Sequence, residues 1–186
     1  MQYALNQDGV IVDGQFIASP NHDPRPDGTA ITMIVIHNIS LPPGEYGGPG
    51  IVQLFTNSLR ADDHPYYAGI HQLRVSSHFL IRRDGQLIQF VAGSQRAWHA
   101  GVSHWQGRDR CNDFSIGIEL EGSDVDAFKA AQYTTLNALI HLLQTHYPIS
   151  DIVGHSEIAP GRKTDPGPYF DWNKVQSTPQ QAGKIP

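Results

Sequence analysis

One cysteine, Cys111, stands in a chain of 186 residues, so no intramolecular disulfide can form. The fold must rest on its core, and a reducing compartment is the matching expectation. Cys111 has neither a local base nor a helix start in the polar stretch Gly107-Arg108-Asp109-Arg110-Cys111-Asn112-Asp113. It reads as a small, partly buried thiol rather than a nucleophile. Positive charge is also scarce: 13 Lys and Arg stand against 18 Asp and Glu, for a net charge of -5. Scattered bases on an acidic chain offer no stripe for a phosphate backbone, so no nucleic-acid partner is expected. Residues 1–20 lack both a basic start and a sustained apolar run. No export signal or membrane anchor is expected there, which points to the cytoplasm.

The 39% of hydrophobic residues suffices for one core but not two, which predicts a single domain over residues 1–175, taken to be monomeric. Ala30-Ile31-Thr32-Met33-Ile34-Val35-Ile36 is a near-continuous β-branched run, expected as a buried central strand that ends at His37. Pro and Gly dominate 41–50, a short helix follows over 51–59, and the region up to 74 is otherwise loop, the kind of segment that walls a cleft. Asp84-Gly85 between 75–83 and 86–91 predicts a tight hairpin. Over 113–122, Ile116, Ile118 and Leu120 alternate with Gly117, Glu119 and Glu121, so the two glutamates share a strand face. Leu136, Leu139, Ile140, Leu143 and Tyr147 recur at helical spacing over 126–147 until Pro148 stops the pattern. A short strand is expected over 149–154, a last helical turn near Asp171, and a disordered tail over 176–186.

Ten histidines give the chain its chemistry. His37 and His155 each follow an apolar strand, and neighbouring strand ends converge on one rim of a sheet, where ligands are rigidly held yet face a crevice. Two ordinary half-buried histidines would leave the same pattern. A hydrolytic zinc site needs a third protein ligand, and Asp165 lies where Pro166-Gly167 can turn the chain back toward His155. Lys163, near any metal that Asp165 binds, would suit an oxyanion, although a solvated loop lysine looks no different. Either Glu119 or Glu121 could be a general base, and periodicity cannot choose between them. His78 reads as a structural partner within its strand. His141 and His146 read as surface residues of the long helix, and His22, His64, His71 and His104 fall in or near polar loops. Trp98-His99-Ala100-Gly101 makes a plausible ligand-contacting edge, with a plain buried tryptophan as the alternative.

Taken in order, Val35-Ile36-His37-Asn38, Arg96-Ala97-Trp98-His99-Ala100-Gly101, Gly117-Ile118-Glu119-Leu120-Glu121-Gly122, Gly154-His155 and Lys163-Thr164-Asp165-Pro166-Gly167 resemble the AmpD-type N-acetylmuramoyl-L-alanine amidases. That superfamily also holds peptidoglycan-recognition proteins and phage amidases, and the likeness runs from about Ser19 to Trp172. The resemblance implies an α/β fold, a central mixed β-sheet flanked by helices. It implies Zn2+ held by His37, His155 and Asp165, Glu119 as general base and Lys163 at the oxyanion. Asn38, Arg74, Trp98, His99 and Arg110 become candidates for holding sugar and peptide, the arginines suiting carboxylates. The implied substrate is a 1,6-anhydro-muropeptide cut between the lactyl carbonyl and L-alanine, in cytoplasmic wall recycling that feeds back on β-lactamase induction. Related recognition proteins bind wall fragments without cutting them when the metal set is incomplete. Here the set is complete, which favours hydrolysis.

Overall fold

The computed structural model describes residues 3–176. In chain order its elements are strands β1 (Gln15–Phe16), β2 (His22–Pro24) and β3 (Met33–Ile39), helix α1 (Gly50–Phe55), then strands β4 (Phe79–Ile81), β5 (Leu87–Gln89), β6 (Gln95–Ala97), β7 (His104–Trp105), β8 (Arg108–Asp109) and β9 (Ser115–Glu121). Helix α2 (Ala130–His146), strand β10 (Asp151–Gly154) and the one-turn helix α3 (His155–Ile158) follow. Six strands form one mixed sheet in the order β1-β5-β4-β9-β3-β10. At its centre β3 runs parallel to both β9 and β10, and β4 runs parallel to β9. The expected central mixed sheet with helices is therefore the observed fold.

Strand β3 is buried from Met33 through His37, as a strand covered on both faces must be. Ile34 and Ile36, with Ile116, Ile118 and Leu120 of β9, pack beneath Leu136, Leu139, Ile140 and Leu143 of α2. Met33 and Val35 point the other way, against Cys111, Phe114 and Val153. Alternation carries His37 and Glu119 onto that second face, further along the strands. The strand does not stop at Ile36, as its apolar run suggests. Pairing with β9 continues to Ile39 opposite Glu121, so His37 lies inside the strand. Its position is set by a ladder rather than by a strand end, because backbone pairing extends past the local hydrophobicity.

The hairpin at Asp84-Gly85 forms, with Gly85 at φ +89 and β4 antiparallel to β5. Both strands are shorter than expected. Residues before β4 bond elsewhere: Ser76 N donates to Trp98 O and His78 N to Gly117 O. Helix α1 stops at Phe55 because Ser58 N and Leu59 N turn back to Gln53 O. Helix α2 starts at Ala130, not 126, since Ser123 and Asp126 form a bridge and Gln132 accepts from Lys129 N at its start. His155 opens a helical turn rather than a loop. The short turn near Asp171 is present over Trp172–Lys174. Apart from Gln176, which donates to Asn137, the tail expected from 176 onward lies outside the described residues. No helix among the described residues is long and apolar enough to cross a membrane.

Candidate active site

Three chain segments meet where β3, β9 and β10 lie side by side. His37 is the register partner of Glu119, and Ile36 that of Gly154, so His155 emerges beside His37. Asp165 is brought back by the expected turn: Gly167 adopts φ +82 and its N–H bonds Thr164 O at 3.0 Å. Ser156 N then donates to Asp165 O. Gly154 permits the approach, since a Cβ there would sit 2.7 Å from Pro166 Cδ.

His37 Nδ1 lies 2.9 Å from Asp165 Oδ2 and 3.0 Å from His155 Nδ1, and His155 Nδ1 lies 3.1 Å from the same carboxylate oxygen. These three side chains could hold a metal ion. Four-coordinate zinc with bonds of about 2.0–2.1 Å spaces its ligand atoms roughly 3.3 Å apart, within a few tenths of the observed separations. Two nitrogens and one oxygen are donors that zinc accepts. His155 Nε2 meets the carbonyl of Ala100 at 3.0 Å, so its proton sits there and Nδ1 keeps a free lone pair. Burial, with lesser effects from His155 and Lys163, lowers the His37 pKa to about 4, which keeps the ring neutral. Burial pushes the Asp165 carboxyl up, but bonds to His155 and His37 outweigh it and hold it well below the usual carboxylate range. Neutral imidazoles and an ionised carboxylate are the forms that bind metal.

Glu119 faces this cluster from the neighbouring strand, 8% exposed, and its Oε2 has no hydrogen-bond partner. Burial first, then the Asp165 charge, push its pKa well above the ordinary value, against the opposing pull of Lys163. A carboxyl whose folded pKa exceeds its unfolded value of about 4.3 loses stabilisation as pH climbs from one to the other. Glu119→Gln removes that loss. In metal-free protein it should melt higher than wild type, by a margin that widens as pH rises above the ordinary carboxylate range. Thermal melts with a chelator present would show it, and a margin that is flat or shrinks with pH would contradict the burial argument.

Glu121 has a different fate from Glu119 despite sharing its face. Neither is the solvated residue that strand alternation usually produces. Glu121 is 1% exposed, binds Arg82 at 2.8 Å and accepts from Gly47 N and Arg83 N, so its acceptors are taken. Lys163 is exposed on the rim of a cavity of about 550 Å³ that Asn38, Asp124 and Asp165 also line. Asn38 donates both amide hydrogens, to Asp124 and to Pro166 O, which braces the Asp165 turn. Trp98 Nε1 donates to Asp23. His99 lies over Gly117, where a Cβ would be 2.5 Å from the ring, and both its nitrogens meet protein atoms. Arg74 and Arg110 are exposed; Arg110 pairs with Asp113 at 3.3 Å and Arg74 donates to the carbonyls of His71 and Leu73.

His78 is a structural partner, as expected: fully buried, it accepts from Gly117 N at Nδ1. Cys111 is wholly buried rather than partly, and burial raises its thiol pKa, which suits packing. Sequence reasoning missed Arg25. From its place directly after β2, its guanidinium donates to the carbonyls of Gly93, Asn112, Asp113 and Ser115, knitting together the strands and loop behind the site. Burial brings its pKa down to about 10. An arginine among prolines carries no local sign of such a role.

Residues 27–168 match the Amidase_2 family, N-acetylmuramoyl-L-alanine amidase. The 1,6-anhydro-N-acetylmuramyl-L-alanine amidase AmpD of Citrobacter freundii is 54% identical over 175 residues, which is 93% of this chain and 94% of that relative. A crystal structure of a Se-Met AmpD derivative superposes with a TM-score of 0.88 at 55% identity, covering 91% of this chain and 96% of that one. More distant is Escherichia coli AmiD in complex with anhydro-N-acetylmuramic acid-L-Ala-D-gamma-Glu-L-Lys, at 28% identity and a TM-score of 0.58, covering 100% of this chain and 73% of that one. The matched span takes in every residue from His37 to Asp165, and the likeness to AmpD covers 93% of the chain. The chain belongs to the N-acetylmuramoyl-L-alanine amidase family.

Proposed function

We propose that this amidase is zinc-dependent and hydrolyses the amide between the lactyl group of 1,6-anhydro-N-acetylmuramic acid and the L-alanine of muropeptides, in cytoplasmic wall recycling. Residues 1–175 form its catalytic domain. One observation carries the reading: three donor atoms within 3.1 Å of one another face a buried carboxyl that has an unpartnered oxygen. The names of the AmpD relatives support the anhydromuramyl substrate, as does the anhydro-muropeptide bound to AmiD.

His37, His155 and Asp165 would hold the metal. Bound there, zinc supplies Lewis-acid polarisation of the scissile carbonyl and brings a water's pKa down to about 7. Glu119 takes a proton from the attacking water as the new C–O bond forms. It then returns that proton to the L-alanine nitrogen as the C–N bond breaks, leaving a muramyl carboxylate and a free amine. A carboxyl with a raised pKa is suited to both transfers. Lys163, beside Asp165 on the cavity rim, offers positive charge to the carbonyl oxygen as it becomes an oxyanion. Asn38, Trp98, Arg74 and Arg110 are the residues against which we place sugar and stem peptide.

Zinc analysis of the purified protein, alongside release of stem peptide from a 1,6-anhydro-muropeptide, tests the reading. About one zinc per chain is expected, with cleavage at the lactyl amide, and Asp165→Ala should lose both. Wild type with neither zinc nor activity after zinc addition would overturn it, and an Asp165→Ala enzyme with full zinc and full turnover would take Asp165 out of the site.

A further inference from the structure

His37 can serve a metal through Nδ1 only if its proton sits on Nε2. For His155 the backbone carbonyl of Ala100 settles this choice, because a carbonyl can only accept. Among the described residues no carbonyl bonds His37 Nε2. Its partner at 2.9 Å is Nδ1 of His99, an imidazole that could donate or accept at that position. The ambiguity is resolved one bond further back. His99 Nε2 lies 3.1 Å from Ser115 Oγ, and that hydroxyl lies 2.6 Å from the carbonyl of Cys111. The carbonyl takes the hydroxyl's single proton, so toward His99 the Ser115 oxygen can only accept. A neutral His99 must then carry its proton on Nε2 and present a lone pair at Nδ1. His37 Nε2–H donates into that lone pair, and Nδ1 of His37 is left bare toward His155 and Asp165.

We infer that His99 and Ser115 are positioning residues, a relay anchored on the Cys111 carbonyl that locks His37 in its metal-binding tautomer. This rests on the metal reading above. The relay's elements are fixed independently of it. Asn112 Oδ1 accepts from the backbone N–H groups of both His99 and Ala100, and Gly117 leaves the room that the His99 ring occupies. The segment 98–115 therefore supplies the partners of both histidines: His99 behind His37, and the Ala100 carbonyl behind His155. His99 is accordingly a support of the metal centre rather than a contact for sugar or peptide.

Three variants, compared by chelator competition for zinc and by nitrogen NMR of the imidazole rings in the loaded protein, test this. His99→Phe keeps a ring over Gly117 but removes both nitrogens, and zinc affinity should fall roughly 10- to 100-fold. His99→Gln offers an oxygen acceptor and an N–H donor spaced like the two ring nitrogens, and should retain more affinity than His99→Phe. Simple packing predicts the reverse order, because phenylalanine fills the space better. Ser115→Ala should weaken zinc in the same direction and shift the His99 proton away from Nε2, while wild type carries it on Nε2. Equal affinities in all variants, or His99→Phe binding more tightly than His99→Gln, would overturn the relay while leaving the metal site standing. Wild type that binds no zinc would remove the metal site and the relay with it.

Discussion

Glu119→Ala should keep about one zinc per chain yet lose about 100-fold or more of its turnover, the usual contribution of a general base. Glu119 sits beside His37 in direct register on the neighbouring strand, buried, with one carboxylate oxygen that no group among the described residues satisfies. A buried acceptor without a partner costs stability, and a fold retains such a group where a reacting molecule completes its bonding. Removing it leaves the three donor atoms in place, so metal content and turnover should separate. Steady-state cleavage of a 1,6-anhydro-muropeptide, with zinc analysis of the same sample, reads both. A rate within about threefold of wild type would mean that the proton goes elsewhere.

The second large effect lies two residues on, in stability rather than chemistry. Glu121→Ala should destabilise the fold by about 3–5 kcal/mol, because it strands the Arg82 guanidinium in a nearly dry site. Arg82 and Glu121 are 12% and 2% exposed as a pair, and Gly47 N and Arg83 N lose their acceptors at the same time. For a chain of this length that corresponds to a fall in melting temperature on the order of 10 °C. Activity per folded molecule should change far less than in Glu119→Ala. A melt within about 2 °C of wild type would show that water or a neighbouring group rescues Arg82. Glu121 is therefore a poor inert control for Glu119.

These two glutamates mark where the sequence stops being legible. Alternation along β9 places both on one face, and no local pattern can rank them. What separates them is long-range: Arg82, just past the end of the neighbouring strand β4, claims one, and the register with His37 claims the other. The cluster of His37, His155 and Asp165 was more readable, since Pro166-Gly167 announces the turn that returns Asp165 and the apolar runs announce the strands. The hairpin and helix α2 were readable for the same reason, as each is a local pattern of period or turn chemistry. His99 was readable only as a motif. Its place depends on the missing side chain of Gly117, in a strand that only the folded sheet brings beneath it. Arg25 could not be foreseen, because its partners are backbone carbonyls, which carry no residue signature.

The cluster also bears on how the chain is tied together. His37 and Asp165 are 128 positions apart, and a chain with one cysteine has no covalent way to join them. An ion held between them, as proposed, would act as a removable cross-link that closes this long loop and restricts the unfolded ensemble as a disulfide does. Such a clasp could not fasten until residue 165 had been synthesised and folded back beside His37.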